Sequence, residues 1–370
     1  MKIGLLIPHI YAQESVASKT IFAPITLLKS LCRGLISAGH QVTLFSPGPL
    51  EIDCKQYHAD LKLVEEVASE EGCTLMELVN RSPMAFVSLA RQVCAEISAK
   101  AFEIANAGEL DLLHIFMAED EIPLYFSNLV KIPVLFTHHD PYNFYRKYRA
   151  RFPNLKNLNY VSISKFQQSS APKGLNFVAN VYNGVELESF PFNLKPDDYF
   201  AYVGRIVRNK GVHLAIEAAK KSKQKLILAG KHYSNLGEKE SYWNKYILPQ
   251  IDEKQIHYVG FLEYPNETSL FMRKAKALLF PIEWEEPFGM VAIEAMASGT
   301  PVIAFDKGPM REIIKDGVTG FIVKDAKQMA KAMLRVNELD RVACREHVAA
   351  NFSAERMVQG YVMVYKKLLN

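Results

Sequence analysis

Short, nearly continuous apolar runs recur along this chain, each followed by a stretch with helical spacing. They occupy residues 3–7, 41–45, 112–116, 133–137, 160–163 and 177–181, then 199–203, 225–229, 256–260, 277–281, 301–305 and 320–323. A strand with one wet face alternates apolar and polar residues; runs this continuous fit parallel strands buried on both faces. Helical patterns lie between them, such as residues 21–38 closing at Gly39 and residues 212–221 opening after Gly211. The alternation predicts an α/β chain with doubly wound parallel sheets and helical crossovers. The rhythm breaks once, at residues 186–198, where Pro191, Pro196 and polar side chains show no periodicity. With about 150 residues per domain as a guide, the chain's 370 residues allow two such domains. Open α/β sheets bind ligands beyond the carboxyl ends of their strands, so a ligand is expected in a cleft between the two.

Composition removes several classes. Hydrophobic residues make up 49% and charged residues 23%, which excludes disorder and fibres. No apolar run approaches the ~18 residues that a membrane span needs. The N-terminus reads as a first strand, because Pro8 arrives too early for a signal-peptide core. The five cysteines, Cys32, Cys54, Cys73, Cys94 and Cys344, are scattered without a CxxC pair. No disulfide framework or zinc site is expected, and a reducing cytoplasm follows. A net charge of +4 permits an anionic ligand or membrane surface but falls short of a nucleic-acid footprint.

The loops carry the chemistry. After the first strand no glycine occurs before Gly34, so a dinucleotide-binding GxGxxG loop is absent, and no GxxxxGK[ST] phosphate loop exists. At the end of the 199–203 run stand Gly204, Arg205 and Lys210, just before an apolar helix. A guanidinium fork, an ammonium and free amides at a helix start suit a diphosphate; solvated loop cations are the alternative. Further on, Glu286 precedes Pro287, Phe288, Gly289 and Met290, and Glu294 follows one turn inside a helix of small and apolar residues. A carboxylate in such surroundings needs hydrogen-bond donors, and sugar or ribose hydroxyls would serve. The amides of Phe288, Gly289 and Met290 would face a leaving phosphate. Ordinary surface acids remain the alternative for either glutamate alone.

Gly204-Arg205, Lys210-Gly211 and the E-x7-E pair Glu286–Glu294 inside EPFGMVAIEAMASGTPVIA together resemble the family 4 retaining glycosyltransferases of GT-B fold, the glycogen synthase-like group 1 enzymes. Tyr182-Asn183-Gly184-Val185, Leu228-Ala229-Gly230, Tyr258-Val259-Gly260 and Glu312 ahead of Asp316-Gly317-Val318-Thr319-Gly320 agree. Thr137-His138-His139-Asp140 resembles the family's T-x-H-D segment, which implies His139 beside the donor sugar. Two places depart from the pattern. Ala17-Ser18-Lys19-Thr20 stands where many members carry a Gly-Gly pair, leaving Lys19 as a substitute phosphate contact, and Lys307-Gly308 replaces a second glycine pair.

The resemblance implies two Rossmann-like domains facing across a cleft. Residues 1–185 would form the acceptor side, residues 186–352 the nucleotide-sugar side, and residues 353–370 a helix crossing back to the first domain. It implies transfer of a hexose from a nucleotide-sugar, by family frequency a UDP-sugar, to an acceptor hydroxyl with retention. Arg205 and Lys210 would neutralise the leaving diphosphate, Glu286 would hold the sugar, Glu294 the ribose, and His139 would contact the sugar. With those cations and no DxD cluster, no cofactor and no metal are expected. The partners expected are the nucleotide-sugar donor and a small-molecule or lipid-linked glycan acceptor, without nucleic acid; the oligomeric state stays open. The basic, aromatic segment after His139, with Tyr142, Tyr145 and Arg146, is the acceptor-side candidate. It could stack a planar acceptor, grip an anionic one or rest on lipid headgroups, or it could be a solvated helix. Residues 277–289 and 160–185 resemble a bacterial branch that includes pterin glucosyltransferases, which points to a small soluble acceptor. A cytoplasmic location is expected, with peripheral contact at the inner membrane face as an option. A nucleotide-sugar sensor without turnover, a GT-B epimerase and a GT-B phosphorylase are the rivals.

Overall fold

A computed structural model describes residues 1–17, 22–117, 122–142, 155, 157–232 and 241–370. Two compact units emerge. Unit 1 comprises Met1–Ile163, Gln168–Val181 and Met357–Asn370; unit 2 comprises Ser164–Gln167 and Tyr182–Arg356.

Unit 1 holds β1 (Lys2–Leu6), β2 (Gln41–Ser46), β3 (Lys55–His58), β4 (Leu112–Met117), β5 (Val134–His138), β6 (Asn159–Ser162) and β7 (Asn176–Asn180). They pair in the order β3-β2-β1-β4-β5-β6-β7, all parallel. Every residue of β4 and β5 is buried, as a strand covered on both faces requires. The apolar runs of the sequence all became strands here, with ends shifted by a residue or so. β3 is the addition: its Lys-Gln-Tyr-His composition is too polar to read as a buried strand, and it survives because it is a sheet edge. Between β3 and β4 run three helices, Lys62–Glu70, Leu75–Arg81 and Pro83–Asn106.

Unit 2 repeats the plan with β8 (Phe200–Val203), β9 (Leu226–Ala229), β10 (Ile256–Tyr258), β11 (Leu278–Phe280), β12 (Val302–Phe305) and β13 (Gly320–Val323). The order is β10-β9-β8-β11-β12-β13, again parallel. Chain order reverses between β8 and β11, so the loops leaving these two strands diverge and open a crevice at their carboxyl ends. The aperiodic stretch at 186–198 is not a free tether. The half-buried Arg345 guanidinium donates to the carbonyls of Leu187, Phe190 and Ala297, and Arg341 donates to those of Asn193, Arg273 and Ala275. These bonds pin the stretch to unit 2.

The last helix, Ala354–Leu369, packs within unit 1 from Met357 onward. Its Tyr365 hydroxyl meets His114 Nδ1 at 2.7 Å, and His114 Nε2 meets the Thr137 hydroxyl at 2.8 Å. The Thr137 hydroxyl in turn meets the Tyr361 hydroxyl at 3.1 Å. All four side chains are buried. Burial holds the His114 imidazole well below its ordinary pKa, hence neutral, and the fully bonded network fixes the helix against β4 and β5. Removing one member strands a buried polar atom, at a cost of about 1–3 kcal/mol. Tyr365→Phe should therefore lower the urea midpoint by that equivalent at neutral pH, whereas a midpoint equal to that of the unaltered chain would show that the network contributes nothing.

Candidate active site

The crevice between β8 and β11 gathers most of the residues singled out from the sequence. β8 ends at Val203; Gly204 and Arg205 follow, then a single 3-10 turn, Arg208–Lys210, and the helix Val212–Ser222. Gly211 makes this turn possible. Its φ is 71°, and a Cβ there would stand 1.8 Å from the Pro281 carbonyl oxygen, so only glycine lets the β8 loop press against the β11 loop. Tyr202 holds the loop from below, its hydroxyl donating to the Arg205 carbonyl at 3.0 Å. Arg205 itself is exposed and forms no ion pair among the described residues.

From the other side, the β11 loop brings Glu286 to Lys210. The Lys210 ammonium donates to Glu286 Oε2 at 2.5 Å, and both side chains are only 15% exposed. Trp284 completes the group: its indole N–H donates to the same oxygen at 2.9 Å, and the Lys210 ammonium lies 4.8 Å from the ring centroid. The carboxylate is thereby fixed by two donors, and the ammonium by a carboxylate and a π-face. Gly308 supports this loop from behind, where a Cβ would meet the Glu286 carbonyl oxygen at 2.5 Å.

Gly289, with φ 105°, starts the helix Met290–Ala297, whose first N–H groups have no intrahelical partners. The Phe288 side chain is buried between Tyr182 and Phe352, so only its backbone is available to a ligand. Glu294 is buried one turn along. Burial raises its pKa to about 7, opposed by the hydrogen bond from the Tyr264 hydroxyl. Glu312 has a different task. It accepts from the Lys165 and Phe166 amides at 2.8 and 2.7 Å and from the Tyr182 hydroxyl at 2.9 Å, capping the helix Lys165–Ser170.

In unit 1, His139 follows β5, its amide donating to the Met117 carbonyl at 3.0 Å and its ring stacked on Phe116 at 5.0 Å. Burial pushes its pKa down to about 3, so the imidazole is neutral at any physiological pH. Tyr142 is a core residue: fully buried, it sits edge-on to Tyr160 and Phe177, so its ring offers no face to an acceptor. Lys19, Tyr145 and Arg146 lie outside the described residues. Sequence reasoning missed the parts played by Trp284 and Tyr264. Trp284 lay in plain view two residues from Glu286, but nothing in the sequence shows where its N–H points. Tyr264 carries no local signal at all.

Residues 186–350 match the model for glycosyl transferases group 1. That stretch is a group 1 glycosyl transferase domain, and the likenesses support transferase activity for the chain. Among curated proteins it is similar to the putative glycosyltransferase YtcC of Bacillus subtilis, at 26% identity over 311 residues, 72% of this chain and 75% of the relative. Among solved structures it is similar to sucrose-phosphate synthase of Thermosynechococcus elongatus, with TM-score 0.71 and 19% identity over 100% of this chain and 99% of that one. HepE of Anabaena, solved in complex with UDP and glucose, gives TM-score 0.67 and 17% identity over 99% of this chain and 100% of that one. These likenesses give the glycosyltransferase its fold, GT-B. No described helix is long and apolar enough to cross a membrane.

The Glu294 carboxyl makes stability depend on pH. Its folded pKa lies above the unfolded value of 4.5, so the folded state holds the extra proton. The fold is unpenalised below that unfolded value and loses stability as pH rises toward about 7, after which the penalty is constant. Glu294→Gln, which stays neutral, should match the unaltered enzyme in urea stability near about pH 4 and exceed it near about pH 8, by up to about 3 kcal/mol. The same stability difference at both pH values would mean that Glu294 ionises without penalty.

Proposed function

We propose that the enzyme transfers a hexose from a nucleoside diphosphate sugar to an acceptor hydroxyl with retention at the anomeric carbon. The observation that carries this reading is the Lys210–Glu286 pair, which sets a cation and a carboxylate side by side at the switch point of the second sheet. Arg205, Lys210 and the amides at the Met290 helix start take the diphosphate; Glu286 accepts from sugar hydroxyls; Glu294 accepts from the ribose diol. The bond from the anomeric carbon to the phosphate oxygen breaks, and the acceptor oxygen bonds to that carbon on the same face. The acceptor's proton passes to the departing phosphate, so no nucleophile from the protein is required. Neutral His139 serves as a hydrogen-bonding contact for a sugar hydroxyl rather than as an acid. Because protein cations supply the charge neutralisation, the proposed reaction needs no divalent metal.

Lys210 and Glu286 then separate in their effects. Lys210→Ala should weaken binding of the bare nucleoside diphosphate and slow turnover, costing about 2–4 kcal/mol in transition-state stabilisation. It also leaves the Glu286 carboxylate facing the diphosphate without its counter-charge. Glu286→Ala should leave diphosphate affinity nearly intact, since Lys210 is set free, while turnover of the sugar donor collapses. Titrations with the bare diphosphate and with the sugar donor, alongside rates with a labelled donor, read both. Equal losses of diphosphate affinity would reverse the assignment, and donor binding without any turnover would favour a sensor.

The base is proposed to be uracil, supported by HepE, whose structure contains UDP. Calorimetry should rank uridine diphosphate above guanosine and adenosine diphosphates; tighter binding of either purine nucleotide would overturn this choice.

A further inference from the structure

Cys32 and Cys54 are 22 residues apart in sequence, and unit 1 brings them together. Cys32 lies in the helix Ala23–Ser37 and is fully buried. Cys54 lies on the connection between β2 and β3 and is half-buried, with its sulfur facing that helix. The Cys32 thiol donates to the Cys54 sulfur across 3.9 Å. A disulfide bond is about 2.05 Å long, so the sulfurs stand about 2 Å beyond bonding.

We propose that Cys32 and Cys54 form a thiol–disulfide modification site, oxidised to a reversible intramolecular disulfide by a small-molecule disulfide such as oxidised glutathione. Burial sets the order of events. Only Cys54 is open to solvent, so it attacks first, and Cys32 resolves. The hydrogen bond from Cys32 favours the Cys54 thiolate, holding that thiol below its ordinary pKa, while the same bond and burial raise Cys32. The thiolate is the nucleophile in such exchange.

The Cys54 thiolate attacks one sulfur of the small disulfide, whose S–S bond breaks; one small thiolate leaves and a mixed disulfide forms on Cys54. Cys32 then attacks the Cys54 sulfur as its proton passes to the departing small thiolate. The protein S–S bond forms, and the second small thiolate leaves and takes up a proton. Two cysteine thiols are oxidised, and one small disulfide is reduced to two thiols.

The cross-link would close a corner that is already braced. Glu14 donates its amide to the Pro49 carbonyl at 3.0 Å, and its carboxylate accepts from the Glu51 amide at 3.1 Å and from Lys29, on the Cys32 helix, at 2.9 Å. The disulfide would join the segment following β2 covalently to the Cys32 helix, both of which Glu14, on the segment following β1, already holds by hydrogen bonds and an ion pair.

The test treats the reduced, folded, full-length chain with oxidised glutathione near neutral pH, blocks remaining thiols with iodoacetamide and maps the peptides by mass spectrometry. The expected result is one cross-link, Cys32 to Cys54, with a mass loss of two hydrogens that dithiothreitol restores. Cys32→Ala should stop at a glutathione adduct on Cys54, and Cys54→Ser should leave Cys32 unmodified. Recovery of both cysteines alkylated, or pairing of either with Cys73, Cys94 or Cys344 in the folded chain, would overturn the proposal. So would a Cys32–Cys54 link that forms only in urea.

Discussion

A parallel strand covered by helices on both faces can carry charge only where it ends. In unit 2 the two central strands, β8 and β11, are apolar through their length, and the polar groups collect where they stop. The reversal of strand order between these two neighbours then lets two loops diverge, one carrying Arg205 and Lys210, the other Glu286. Burial of the sheet and concentration of charge at one edge are a single constraint seen from two sides. The close glycine contact between Gly211 and the Pro281 carbonyl sets how near the loops come.

Within that crevice, the Lys210–Glu286 pair is more than a surface ion pair. At 15% exposure each charge has lost much of its hydration, and neither would be stable there without the other or a substitute. A diphosphate offers Lys210 another anion, and a sugar offers Glu286 hydroxyl donors, so donor binding would exchange one set of satisfied charges for another. Trp284 is suited to that exchange. Its N–H keeps one donor on Glu286, and its ring keeps a π-face under Lys210, while the direct contact between the two charges is given up.

The sequence disclosed the sheets because burial on both faces leaves a mark that any reader of hydropathy can see. It hid β3, since an edge strand need not be apolar, and the three helices between β3 and β4 were passed over for want of a motif. The site followed the same division. Arg205, Lys210, Glu286 and Glu294 sit beside glycines and prolines that betray strand ends and helix starts. The partners that tune them come from elsewhere: Tyr264 is 30 residues from Glu294, and Lys210 is 76 residues from Glu286. The 186–198 stretch looked like a linker because its own residues are polar and aperiodic. What anchors it, Arg341 and Arg345, lies about 150 residues downstream, and a guanidinium bonding to backbone carbonyls leaves no pattern in the segment it holds.

In unit 1 the same burial that shapes the sheet decides what its histidines can do. His114, in the middle of β4, is neutral because no charge is tolerated there, and the C-terminal helix exploits this by supplying two tyrosine hydroxyls to the His114–Thr137 cluster. His139, at the end of the neighbouring strand, is stacked on Phe116, which itself packs against the His114 and Tyr361 rings. The two imidazoles are thus linked through one aromatic column, and a proton on either would raise the cost of a proton on the other. A histidine held neutral in this way is poor at general acid catalysis and good at offering a fixed hydrogen bond. The strand that leads to His139 is braced by Tyr361 through Thr137, so the last helix of the chain takes part in setting where that imidazole stands.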